Sequence, residues 1–278
     1  MPQHRISRTT IIAVLTATVA ALIARAWLQL RLIDDGMQQA LAADLSYLVV
    51  PPILLILLFP LWRSEKVFLT SLFRRESLSW RIVLTAIAIG ILLRLSWWSQ
   101  LIAGVSFGFY RSGNLDAAMG PSFSFGCPPP AVLAVGILIT AVLVPLIEEI
   151  THRGYLQTFL ERRDVIVAIL LSAAIFAVFH GLSSWPFAFV AGIVLGVQYW
   201  ATRSLWSSVI AHATMNGLIL LDWRCQSTSW NPRTGDLPLW FPGIVATLVF
   251  VICLIGLILL LQKMTTGARA IRPGSPAL

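Results

Sequence analysis

The sequence is poor in charge. Only 12% of its 278 residues are Asp, Glu, Lys or Arg, against 58% hydrophobic residues. A soluble domain carries about 25% charged residues, so the composition excludes a water-soluble globular fold and indicates an integral membrane protein. Lysine is nearly missing: Lys66 and Lys263 are the only two, and the net charge of +8 rests on arginine. These basic residues fall at the ends of apolar segments and form no common face, so no nucleic-acid partner is expected. No internal repeat and no pair of related halves is visible, which argues against a transporter built on repeats. A His-Glu-x-x-His pair is missing too, and the intramembrane histidines are scattered over separate segments. A zinc protease therefore lacks its usual ligand set, and neither a metal nor another cofactor is expected. Cysteine is scarce. Cys253 lies in the last apolar segment as a small hydrophobe. Cys127 and Cys225 fall in connections expected on the outer side, where a disulfide and two free thiols both fit the sequence.

What the chain does have is apolar length. Eight segments can be drawn, approximately Ile11–Leu30, Leu45–Trp62, Ile82–Ile102, Ala131–Ile147, Val165–His180, Pro186–Trp200, Leu205–Leu221 and Trp240–Leu261. Several reach the roughly 20 residues a spanning helix needs, while the fifth to seventh are short and are expected to pack within the bundle. Counting basic residues in alternate connections orients the set. One side holds thirteen: Arg5, Arg8, Arg63, Lys66, Arg74, Arg75, Arg81, Arg162, Arg163, Arg203, Lys263, Arg269 and Arg272. The other holds four: Arg31, Arg111, Arg224 and Arg233. The asymmetry predicts an even number of spans with both termini cytoplasmic. Trp27, Trp62, Trp80, Trp97, Trp98, Trp185, Trp200, Trp206, Trp223 and Trp240 lie near the expected span ends, as an aromatic belt does. The first segment runs on past Ala24-Arg25-Ala26 to Leu32, which favours a spanning helix over a cleaved signal. The fold class predicted is all-α, a polytopic membrane bundle of about eight helices, in a bacterial inner or plasma membrane.

Three parts follow from this layout. Residues 1–130 hold the first three spans and a cytoplasmic connection, Ser64 to Ser79, where Phe68, Leu69, Leu72 and Phe73 alternate with Arg74, Arg75 and Glu76. That pattern suits an amphipathic surface helix, and a basic loop fits it equally. Residues 131–222 form a central group of short spans. Residues 223–278 hold an outer loop, the last span and a tail from Thr265 expected to be disordered. The oligomeric state is left open.

The central part contains the residues that do not belong in lipid: Glu148-Glu149-x-x-x-Arg153, Phe176-x-x-x-His180 and His212-x-x-x-Asn216. Ionisable groups at membrane depth are costly and face a bundle interior or a wet cavity. Glu149 and Arg153 are i,i+4 neighbours on a helix, so an ion pair lowers the burial cost of both. Glu148 points about 100° away. One glutamate is then held by arginine while the other is free to act on water, and two close carboxylates resist joint ionisation in a low dielectric. Depth arithmetic agrees. If the fourth and fifth spans turn near Asp164, Glu148 and His180 both lie ~24 Å from that turn; if the next pair turns near Arg203, Asn216 lies ~20 Å and His212 ~14 Å above it. The four side chains are expected in one layer.

In that order on consecutive spans, the three motifs resemble the CPBP family of glutamic intramembrane proteases, which includes Ras-converting CAAX endopeptidases and bacteriocin-linked homologues. The resemblance covers roughly Ala131 to Leu221. It implies that Glu148 is the general base on a water molecule, assisted by His180, and that His212 and Asn216 donate to the oxyanion of a peptide carbonyl. Such donors are worth roughly 3–4 kcal/mol each in a dry site. Glu149 and Arg153 would shape the site, and Phe176 would pack beside His180. His152 falls within the x-x-x of the first motif and is left out. The partners implied are the lipid bilayer and a membrane-associated peptide or protein substrate, among them a prenylated CAAX peptide, a bacteriocin leader or a C-terminal sorting signal. A serine protease is disfavoured, since Ser183 and Ser184 lie in a loop without an elbow. The non-enzymatic rivals are a transporter and a membrane immunity or scaffold protein of the same fold; a degenerate scaffold would have lost one of the polar residues, and all are present.

Overall fold

The computed structural model describes residues 6–37, 39–73, 78–107, 134–180, 184–220 and 240–271, and among these every regular element is a helix. Helix α1, Arg8–Asp34, starts where the Ser7 hydroxyl accepts the Thr10 amide at 2.9 Å, which caps one of the orphan N–H groups of the first turn. A short helix α2, Gln39–Ser46, leads through a 3-10 turn, Tyr47–Val49, into α3, Val50–Ser64. Helix α4, Lys66–Leu72, buries Phe68 and Leu72 against the bundle, with Phe68 edge-on to Tyr155 at 5.6 Å. It therefore packs inward on the face that the alternation of Phe and Leu supplies.

Helix α5, Trp80–Ser106, lies between α9, Leu205–Leu220, and α10, Trp240–Ile271. Its approach to α9 depends on Gly90, where a Cβ would stand 2.4 Å from the Ala211 carbonyl oxygen. Helix α6 runs Ala134–Leu160. It is followed by α7, Val165–Val178, and α8, Trp185–Thr202, which pack on one another. The turn from α8 to α9 places Arg203 in the left-handed region at φ 54°, a costly conformation for a side chain with a Cβ. Arg203 also forms an ion pair with Glu161 at the end of α6, which ties that turn to the neighbouring helix. Large apolar residues such as Ile12, Ile56, Leu248 and Leu259 stay exposed on the outer faces. In water such surfaces are penalised; in a bilayer they match the solvent.

Among the described residues, six helical stretches are long and apolar enough to cross a membrane: Arg8–Asp34, Tyr47–Ser64, Trp80–Gly104, Ala134–Leu160, Trp185–Thr202 and Trp240–Gly267. The fifth and seventh expected spans form helices of 14 and 16 residues. Two features depart from the sequence expectation. The last helix continues to Ile271, so Thr265–Ile271 is helical where a tail was predicted; the stretch holds no proline, and Ala268, Arg269 and Ala270 are good helix formers. Helix α6 is also not uniformly α. Ile137–Leu143 and Ile150–Gln157 are π-helical and flank an α segment, Val144–Glu149, with Pro145 in its first turn. Proline withholds an N–H and disturbs the preceding ladder, and a widened turn is one way a helix absorbs that. Cys127, Cys225, Arg74, Arg75, Glu76 and both expected outer loops lie outside the described residues.

Candidate active site

Glu148, Glu149, His152 and Arg153 occupy two adjacent faces of α6, where its α segment passes into the second π stretch. A π turn is wider than the 3.6 residues of an α turn, so side chains four apart come closer to alignment along the axis. Glu149 and Arg153 form one such pair. Both are fully buried, and Arg153 Nη1 donates to Glu149 Oε1 at 3.0 Å. The guanidinium is held elsewhere too: Nη2 donates to the Gly192 carbonyl at 3.1 Å, and its carbon sits 4.6 Å from the Phe176 ring centroid. A buried ion pair repays its desolvation only with such added partners. One turn on, Gln157 Nε2 repeats the pattern, donating to the Gly196 carbonyl at 3.0 Å.

His212 enters this pair from α9. It is 2% exposed, and its Nδ1 donates to Glu149 Oε1 at 2.9 Å. Its other nitrogen, Nε2, lies 3.8 Å from Glu148 Oε2. One imidazole therefore spans both glutamates, and Glu149 fixes which nitrogen carries a proton.

Glu148 is placed differently from its neighbour. Its side chain is 18% exposed and lines a cavity of about 30 Å³ together with Thr18 of α1, Tyr47 of the 3-10 turn, Thr151, His152 and Phe179. Above the cavity, the Arg25 guanidinium lies 3.8 Å from the Tyr47 ring centroid. His152 is 2% exposed. Its ring stands edge-on to Phe176 at 5.3 Å and tilted against Phe179 at 5.5 Å, and its carbonyl accepts Ser172 Oγ at 2.9 Å.

Phe176 is the centre of this packing. It is 1% exposed and contacts the rings of His152, His180 and His212, with His180 at 4.6 Å and His212 at 5.8 Å. His180 follows the end of α7, and its Nδ1 donates to the Phe176 carbonyl at 2.8 Å, which leaves Nε2 as the basic nitrogen of the neutral ring. Asn216 Nδ2 donates to the Thr140 carbonyl at 3.0 Å. That carbonyl belongs to the first π stretch, so the amide joins α9 to α6 at that level.

The expected residues thus fall into two groups. Glu148, Glu149, Arg153 and His212 meet directly. His180 and Asn216 sit beside them, held by backbone carbonyls of Phe176 and Thr140, with no hydrogen bond to either glutamate. His152, left out of the expected site, shares the cavity with Glu148. Its spacing of four residues from Glu148 is the signal that points to it. Among the described residues, no three of His, Cys, Asp or Glu are grouped to hold a metal ion.

Residues 130–218 match the family model described as Type II CAAX prenyl endopeptidase Rce1-like. The matched interval contains Glu148, Glu149, Arg153, His180, His212 and Asn216, and the match supports the resemblance carried by the three motifs. The family is one of proteases. No curated protein and no solved structure matches the chain.

Proposed function

We propose that this chain is a glutamic intramembrane endopeptidase that hydrolyses a peptide bond in a membrane-associated substrate, with a prenylated C-terminal peptide as the first candidate. The observation that carries this reading is the division of labour between adjacent glutamates. Glu149 is spent on Arg153 and His212, while Glu148 faces a small cavity at membrane depth with one carboxylate oxygen free of hydrogen bonds. Both glutamates keep one carboxylate oxygen without a hydrogen-bond partner, and of the two only Glu148 has the access to take a proton from water.

The chemistry follows from these positions. Glu148 takes a proton from water as the water oxygen attacks the scissile carbonyl carbon. His180 Nε2, the basic nitrogen of its ring, assists from the edge of the site. The carbonyl oxygen becomes an oxyanion, which His212 Nε2–H and the second Asn216 amide hydrogen receive. Because His212 Nδ1–H already serves Glu149, the ring offers Nε2–H only as an imidazolium, and Glu149 balances that charge. Collapse breaks the C–N bond, and Glu148 returns its proton to the departing amine. Residues 131–222 are the catalytic part, set in a bundle of eight spans with both termini cytoplasmic. The short fifth and seventh helices cross as inner members of the bundle.

The test uses protein in nanodiscs and an internally quenched farnesylated peptide ending in a CAAX sequence. Glu148→Gln, His180→Ala and His212→Ala should each insert and purify normally. Turnover should fall by about 10²-fold or more in Glu148→Gln, the range lost with a general base. Wild-type turnover in Glu148→Gln would overturn the mechanism.

A further inference from the structure

We propose that Arg25 of α1 is a specificity-determining residue whose guanidinium binds the free C-terminal carboxylate of the substrate, three residues beyond the bond that is cut. The inference rests on the reading of Glu148 as the base at that bond and adds a subsite for the end of the chain.

Arg25 is a charge out of place. Arg8 opens α1 and Arg31 lies in its last turn, where water and headgroups are within reach. Arg25 stands nine residues before the end of the helix, about 13 Å inside it. Charged residues at such depth face the protein interior and mark ligand paths. The face it occupies is the inner one. Val14, Thr18 and Ala21 are buried, and Arg25 is the next position of the same stripe at helical spacing. Ile23 and Trp27, on the other faces, are 65% and 62% exposed, whereas Arg25 is half-buried.

The guanidinium is positioned without being used up. It lies over the Tyr47 ring, 3.8 Å from the centroid, a contact that engages its face and leaves the N–H groups on its edge. Among the described residues it makes no ion pair, and its Nε has no hydrogen-bond partner. Arg153, the other arginine near the site, has a carboxylate, a carbonyl and an aromatic ring. Arg25 has the ring alone. A planar fork with free N–H groups matches a carboxylate in two parallel hydrogen bonds.

Spacing identifies which carboxylate. Thr18 and Leu22 line the cavity beside Glu148, and so does Tyr47. Arg25 is seven residues beyond Thr18 on the same face, a rise of about 10 Å. Three residues of extended chain also cover about 10 Å. With its scissile carbonyl at Glu148, a substrate running along α1 brings the carboxylate of its third following residue to Arg25. A shorter leaving peptide falls short by about one residue length, and a longer one overshoots. The farnesylated CAAX peptide, cut after its cysteine, has the required three.

The experiment compares two quenched farnesylated CAAX peptides in nanodiscs, one a free acid and one a C-terminal carboxamide, identical otherwise. Wild type should favour the acid by about tenfold or more in kcat/KM, the range of a hydrogen-bonded charge. The difference should lie mainly in KM, because the carboxylate is held alike before and during the reaction. Arg25→Gln should bring the acid-to-amide ratio close to one, and Arg25→Lys should restore part of it. A peptide with one residue added after the cysteine should lose the same advantage in wild type. Equal use of acid and amide by wild type overturns the inference without any variant having to fold. An acid preference that survives in Arg25→Gln overturns it too. So does an Arg25→Gln loss common to both peptides, the pattern of a guanidinium that only braces Tyr47 or holds a lipid phosphate. Any of these with Glu148→Gln inactive sinks the subsite alone, whereas Glu148→Gln at wild-type turnover sinks the underlying mechanism.

Discussion

Glu149 and Arg153 carry opposite charges with no exposed surface, so removing either strands the other in a low dielectric. Arg153→Met and Glu149→Gln are each expected to destabilise the protein by about 3–5 kcal/mol. The double substitution should recover part of that loss, because two apolar or neutral groups need no counterion. Thermal melts in detergent read this directly; single variants as stable as wild type would show that the pair contributes nothing. The i,i+4 spacing of this pair is legible in the sequence. Which glutamate His212 grips is not, because that depends on how α9 rotates about its axis. An apolar helix presents few cues for rotation, and the 2.9 Å bond to Glu149 is settled by packing of α9 against α5 and α6. His152 was hidden for a related reason: one imidazole inside a motif looks like filler until the cavity gives it a neighbour.

At the scale of elements, the contact between α6 and α8 is a ladder. Arg153 and Gln157, one turn apart on α6, donate to the carbonyls of Gly192 and Gly196, one turn apart on α8. Small residues four apart let helices approach closely in lipid. On its other side Gly192 meets α7, where a Cβ would stand 2.9 Å from Ala173 Cα. Backbone cannot yield as a side-chain tip does, so Gly192→Ala should cost about 1–3 kcal/mol and lower turnover by shifting the carbonyl that holds Arg153. Gly217→Ala is the matched control, since its Cβ would find only Ala141 Cβ at 3.6 Å. Equal melts for the two variants would remove the steric reading. The sequence announced most helices through apolar runs, and their ends through cues such as Ser7 and Asp164, whose side chains cap α1 and α7. It did not announce the π stretches, whose extra residue per turn leaves no compositional mark. Nor did it announce the extension of α10 to Ile271, where Thr265, Thr266 and Gly267 are weak helix formers and resemble the start of a tail.

The whole molecule makes a topological commitment. If both termini are cytoplasmic, as proposed, Asp35 lies on the outer side and Ser64 on the inner side; both side chains are exposed. In a variant with Cys127, Cys225 and Cys253 replaced by serine, Asp35→Cys should react with a membrane-impermeant thiol reagent in intact cells. Ser64→Cys should react only after permeabilisation, and the reverse pattern would invert the bundle. Membrane character and the central group of motifs were readable from composition and spacing, because scarcity of charge makes each remaining charge informative. The cavity was not readable, because its wall is assembled from distant stretches: Thr18 and Tyr47 face Glu148 and His152 across more than a hundred residues of chain. Those two wall residues lie well before the matched interval, 130–218. The wall of the cavity is therefore built partly from stretches outside the match, so substitutions at Thr18 or Tyr47 reshape it without altering Glu148 or His152 themselves.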